Sequence, residues 1–196
     1  MGRTTSSPGQ FCSASTIAFA FALCAACNEA PVSYSAPVGI SLEAKSVNAS
    51  NGVVTDEKSI NSEVGNPYGA FVSDARARIG RDPVIIDIES VEVALAAGSN
   101  GVAMLGDVFA GAVDLAFQMN DTNNTYPVAN GIIAADTTGP APLDVAFVAE
   151  SVPDLDYVKL LLGGFKLVAR GPAAPAFASK GAEATLQVTL TFAAFE

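Results

Sequence analysis

Residues 182–192, AEATLQVTLTF, decide the fold. Ala182, Ala184, Leu186, Val188, Leu190 and Phe192 take alternate positions, and Glu183, Thr185, Gln187, Thr189 and Thr191 fill the places between. Successive side chains of a strand point to opposite faces, so a period of two predicts a strand with one apolar and one wet side. The apolar side needs an opposing layer, which a second sheet or a helix supplies.

The same alternation recurs upstream. Ile40, Leu42 and Ala44 alternate with Ser41, Glu43 and Lys45 from Val38 on. Val84, Ile86 and Ile88 begin a strand whose pattern resumes through Val91, Val93 and Leu95. Residues 102–119 are too long for one straight strand, and Gly106 and Gly111 are placed to bend it before Val113, Leu115 and Phe117 point one way. Further strands are expected over 128–134, over 143–148 and through Phe165, Leu167 and Ala169.

Helical signals are short. Asp56 is a candidate cap for one or two turns carrying Glu57, Ile60 and Val64. A second piece runs through Phe71, Ala75 and Ile79 to a stop at Gly80, with Asp74 and Arg78 at ion-pair spacing. A third opens at Pro153-Asp154, places Leu155, Val158, Leu161 and Leu162 on one side and ends at Gly163-Gly164. Seven or eight strands with polar turns predict a mainly β fold: a single antiparallel β-sandwich with short peripheral helices. The alternative is an α+β domain with helices on one face of a sheet.

The N-terminal part has a different character. Residues 11–27, FCSASTIAFAFALCAAC, carry no charge, follow the basic Arg3 and precede NEAP. A basic start, an apolar core and small residues before a cut make a secretory signal. The ending Leu23-Cys24-Ala25-Ala26-Cys27 resembles the lipobox of bacterial lipoproteins, whose usual form is Leu-Ala/Ser-Gly/Ala-Cys. Ala25 and Ala26 match the two positions before the modified cysteine, while Cys24 stands where the pattern has leucine.

The resemblance covers the leader alone. It implies a signal peptide over 1–26, lipid attachment (diacylglyceryl and palmitate-class acyl chains) at Cys27, a tether over 27–37 and a β-rich domain over 38–196. It also implies an exported protein of the cell envelope, and Asn28 after Cys27 favours an outer-membrane lipoprotein. The alternative is plain secretion after a cut at Ala20-Phe21-Ala22.

Without residues 1–26 the chain keeps all 20 acidic residues and nine of the ten basic ones, a formal charge of −11. That balance disfavours binding nucleic acid or an anionic membrane face by charge. The expected partners are therefore the membrane, through the N-terminal lipid, an envelope protein, or a second copy of the chain.

The chain has no histidine, which removes Ser-His-Asp and Cys-His arrangements and histidine metal ligands. The expected role is noncatalytic: a structural or protein-recognition part of the envelope. Alternatives are a module for an apolar ligand or glycan and a subunit of an extracellular assembly. In the last, the strand through Thr185 to Phe195 would complete a neighbour's sheet.

No cofactor is expected. The polar loop Asn120 to Thr125 is a weak calcium candidate, with Asp121, Asn123 and Asp136 as its oxygen ligands, since Ca²⁺ takes six to eight oxygens. A polar turn explains the same residues. Asp154 and Asp156 look like a carboxylate pair, but helix capping and a first-turn position account for them. Glu89 and Glu92 fit solvated strand faces, and Arg76, Arg78 and Arg81 form a basic cluster interleaved with Asp74 and Asp82.

Overall fold

The computed structural model describes residues 32–63, 65–179 and 181–196. Cys27 and residues 1–26, on which the leader and anchor readings fall, lie outside the described residues. Eight strands run antiparallel: β1 (Ser33–Lys45), β2 (Val53–Ile60), β3 (Ile85–Leu95), β4 (Ala112–Met119), β5 (Thr125–Ile132), β6 (Ala141–Val145), β7 (Phe165–Pro172) and β8 (Glu183–Phe195). Three helices accompany them: α1 (Pro67–Ile79), α2 (Asp154–Leu162) and α3 (Pro175–Ser179). The fold is mainly β and antiparallel with short peripheral helices, as the alternation predicts.

The two packed layers are halves of one sheet, ordered β1-β8-β3-β6-β5-β4-β7-β2 and curled into a nearly closed barrel. Short β6 turns the corner between the halves: Ala141 to Leu143 pair with β3, and Asp144 and Val145 pair with β5. One sheet thus supplies both the apolar face of β8 and the layer opposite it.

Phase shifts in the sequence become bulges. Burial in β3 moves from the even positions Ile86 and Ile88 to the odd positions Val91 and Val93, and the register with β8 slips between Ile88 and Ser90. Glu89 is the extra residue. In β5 the consecutive buried pair Val128 and Ala129 marks a second slip against β4. An added residue re-aims every side chain after it, so an apolar pattern can change parity without leaving the core.

Three expectations need correction. The helix capped by Asp56 is strand β2, all eight residues of which pair with β7. Val53, Val54 and Thr55 are β-branched and suit a pleated edge, and the partner strand overrides the capping signal. β1 begins at Ser33, so Ser33 to Pro37 of the expected tether belong to the strand and pair with Thr191 to Phe195. The face of α2 is also different: Asp156 and Leu160 are buried, whereas Leu155, Val158 and Leu162 are exposed.

The core centres on Phe117, Phe165 and Phe192 from three strands and Tyr68 from α1. Ring centroids lie 4.7 Å apart for Phe117–Phe165 and 5.2 Å for Tyr68–Phe165, both edge-on. Edge-to-face contacts of this kind add to the area buried. Helix α1 is seated by Asn66, whose side chain accepts from Tyr68 N, by Pro67 in its first turn and by Gly80 in the left-handed conformation at its end.

The barrel has two distinguishable ends. At one, the described chain enters at Val32, β3 starts, the β4–β5 hairpin turns and α2 lies between β6 and β7. At the other, the β1–β2 connection, the 133–140 loop and the approach to β4 are gathered.

Candidate functional site

Two polar arrangements stand out: a buried carboxylate at the entry end and a seam between the two sheet edges.

The first is Asp156, on the inner side of α2. Its Oδ2 accepts from Asn124 Nδ2 at 2.7 Å and Tyr126 Oη at 2.8 Å, and its Oδ1 accepts from Thr122 Oγ1 at 3.3 Å. Lys159, one turn on, places Nζ 3.4 Å from Oδ1 and donates to Asn120 O at 2.8 Å. Thr122, Asn124 and Tyr126 are alternate residues of the β4–β5 hairpin, so one side of that hairpin presents three donors to one acid. The amide of Asn124 and the hydroxyl of Tyr126 hold the Asp156 carboxyl below the usual carboxylate range, against the opposing effect of burial. In return, burial and the facing carboxylate push the Tyr126 phenol up to about 12.

This arrangement accounts for the loop that suggested calcium. Asp121 and Asn123 take positive φ, 68° and 57°, as residues of a tight turn do. Asp136 lies beyond the far end of β5, whose eight residues span roughly 26 Å at about 3.3 Å each. The structure therefore does not bring Asp136 to Asp121 and Asn123. Among the described residues no group of three or more His, Cys, Asp or Glu side chains is placed to hold a metal.

Asp154 is exposed beside the buried Asp156, so the two do not face each other across a cleft. Glu89 accepts from Ser35 Oγ at 2.6 Å on the outer face, and Glu92 is exposed opposite Thr189. Of the basic cluster, Arg76 pairs with Asp82 while Arg78 and Arg81 are exposed. Asp74, four residues before Arg78, accepts from Tyr34 Oη at 3.3 Å.

The second arrangement is the seam. β1 and β2 are the two edges of the sheet and lie side by side without a backbone ladder. Glu43 N, pointing away from β8, donates to Asp56 Oδ2 at 2.7 Å, so a side chain from β2 takes the place of a ladder bond. Pro37 has the same parity as Glu43, and its missing N–H falls on this unpaired side. Partial burial raises the Asp56 carboxyl, with Glu43 and Glu57 adding repulsion, while two backbone N–H groups pull the other way. Lys166 Nζ holds Glu57 at 2.5 Å.

Open space lies on the surface. A groove of about 230 Å³ follows the seam past Glu43, Lys45, Asp56 and Lys58. Another of about 360 Å³ lies beside α1 at Ser62, Glu63, Gly69 and Arg76, and one of about 320 Å³ crosses Asp114, Gln118 and Arg170 on the outer face of β4 and β7. The inward phenylalanines pack on one another instead of lining a chamber.

The terminal strand has both edges occupied, by β1 on one side and β3 on the other. The route by which Thr185 to Phe195 would complete a neighbour's sheet is thereby closed. Among the described residues no helix is long and apolar enough to cross a membrane. No family model matches the chain, and no curated protein or solved structure matches it.

Sequence reasoning missed Asp156 and the seam. The signal for Asp156 was present in the alternation of Thr122, Asn124 and Tyr126, three donors on one hairpin face. What the residues do not disclose is that an acid 30 residues away is laid against them.

Proposed function

We propose that this chain is a noncatalytic, lipid-anchored protein of the cell envelope, its β domain serving a structural or protein-recognition role. One observation carries the reading: the uncharged run 11–27 ends in a lipobox-like Leu23 to Cys27. Cys27 is the residue that would carry the lipid, and several acyl chains at about 0.8 kcal/mol per buried CH₂ give stable attachment. The barrel supports the reading by starting at Ser33, so that an anchor at Cys27 holds the domain close to the membrane. Its interior, filled by the Phe117, Phe165 and Phe192 cluster, suits a surface that presents contacts better than a chamber for an apolar ligand.

The test is the intact mass of the mature protein taken from its native membrane in detergent, beside Cys27→Ala. The expected mass begins at Cys27 and includes acyl chains, and the variant leaves the membrane fraction. A mature chain that begins elsewhere and carries no lipid overturns the anchor and makes plain secretion the reading.

A further inference from the structure

We propose that the outer face of α2 docks on the bilayer that holds the anchor, with Leu155, Val158 and Leu162 entering its interfacial layer. This rests on the lipid-anchor reading above.

The three side chains recur at helical spacing on one face and are 82%, 51% and 59% exposed. Nothing in the barrel requires that face to be apolar, because α2 is fixed entirely from its other side. Asp156 binds the β4–β5 hairpin, Tyr157 Oη donates to Pro83 O at 2.9 Å, and Leu160 O accepts from the buried Tyr68 Oη at 2.8 Å. The helix therefore spans the entry end of the barrel from the hairpin to the α1–β3 connection. Its free face looks away from the core.

Other exposed apolar residues collect at the same end. Val84 precedes β3 and is 55% exposed, Val148 follows β6 and is 54% exposed, and the chain enters beside them at Val32.

The length of chain outside the described domain selects the partner. Four residues lie between Cys27 and Val32, and the five Cα–Cα steps across them reach at most about 18 Å when fully extended. A lipid on Cys27 thus holds this end within reach of the headgroup layer, and amphipathic helices bury their apolar faces roughly 5–10 Å into that boundary. Charge does not drive the contact. Arg78 and Arg81 are exposed on the α1–β3 side, but Glu150 before α2 and Asp154 at its first position are exposed as well. Apolar insertion is the attraction, so a zwitterionic bilayer suffices.

The chain contains no tryptophan, so one introduced residue is an unambiguous reporter. Leu155→Trp and, as reference at the opposite end, Val47→Trp (82% exposed in the native chain) are made in the full chain. Each is purified from its native membrane, checked for acylation by mass and reconstituted into phosphatidylcholine vesicles with brominated acyl chains. The expected result is blue-shifted emission from Leu155→Trp, quenched at least about twofold more than that from Val47→Trp, as interfacial burial requires. An acylated, vesicle-bound protein in which the two reporters are quenched alike overturns the docking and leaves the anchor standing. A blue shift without bromine quenching also overturns it, since another protein surface then covers the stripe. A chain without acyl groups that stays off the vesicles overturns anchor and docking together.

Discussion

At the scale of single residues, two carboxylates respond to pH in opposite directions. Asp156 is held below its ordinary range by the donors of Asn124 and Tyr126, so its contribution to stability is present above the unfolded-state pKa and is lost as pH falls through the lower folded value. Asp156→Asn places an amide against Lys159 or against Asn124, donor facing donor. We expect its Tm at neutral pH to fall by about 5 °C or more, the scale of a broken hydrogen-bond network in a domain of this size. The gap to the native protein should close in melts carried below the usual carboxylate range, where native Asp156 is also neutral. A gap of constant size at all pH values would mean that packing, not charge, is what Asp156 supplies. Asp56 has the reverse sign. Its folded pKa is raised, so ionisation opposes folding above that value, and the penalty is absent where the group is protonated in both states. Asp56→Asn keeps a carbonyl acceptor for Glu43 N and removes the repulsion from Glu43 and Glu57. It should melt slightly higher than the native protein at neutral pH, by less than about 1 kcal/mol given the solvent at the seam, and equally at low pH.

At the scale of elements, the sequence discloses what each segment is more readily than which way it faces. The period of two in β1 and β8 is the pleat itself, and Gly80 and Gly163 stop α1 and α2 where left-handed caps are found. Those caps differ in what surrounds them, which separates conformation from contact. Gly80 has φ 83° with open space around it, whereas a Cβ on Gly163, at φ 69°, would sit 2.6 Å from the backbone of Asn61 and Ser62. Gly80→Ala should cost about 1–2 kcal/mol from the left-handed backbone alone. Gly163→Ala should cost more, because the loop after β2 must also shift, and urea melts of the two variants measure the difference. Equal costs would mean that the loop yields freely. The facing of α2 was not legible, because four leucines and one valine over 155–162 offer apolar residues all round. Burial there was settled by Asp156, whose partners lie on the hairpin. β2 was misread for a related reason: Asp56 looks like a cap until the strand beside it is known.

At the scale of the whole domain, the fold class and most strands could be read, but strand order could not. β1 pairs with β8 across the full chain, and β2 pairs with β7, choices made by closing a sheet and not by any local pattern. The same closure explains why all four tyrosines titrate high. Tyr34, Tyr68, Tyr126 and Tyr157 donate to Asp74, Leu160 O, Asp156 and Pro83 O, each joining two elements at the entry end. Desolvation leads in every case: Tyr126 and Tyr157 are pushed up to about 12, the buried Tyr68 further, and Tyr34 above its ordinary value. A phenolate has no proton to donate, so ionising these groups removes the bonds that hold α1, α2, the hairpin and the β3 approach together. The folded values lie above the unfolded one, so this stability is whole below pH 10 and is lost as pH rises through the folded values. In a spectrophotometric titration of the native protein, Tyr126 and Tyr157 should give no phenolate step at the ordinary tyrosine value. Their absorbance should rise at about pH 12, together with the loss of circular dichroism. In denaturant all four should titrate together near the free value of about 10. Four phenolates forming there in a protein whose circular dichroism is unchanged would show that these hydroxyls do not hold the entry end.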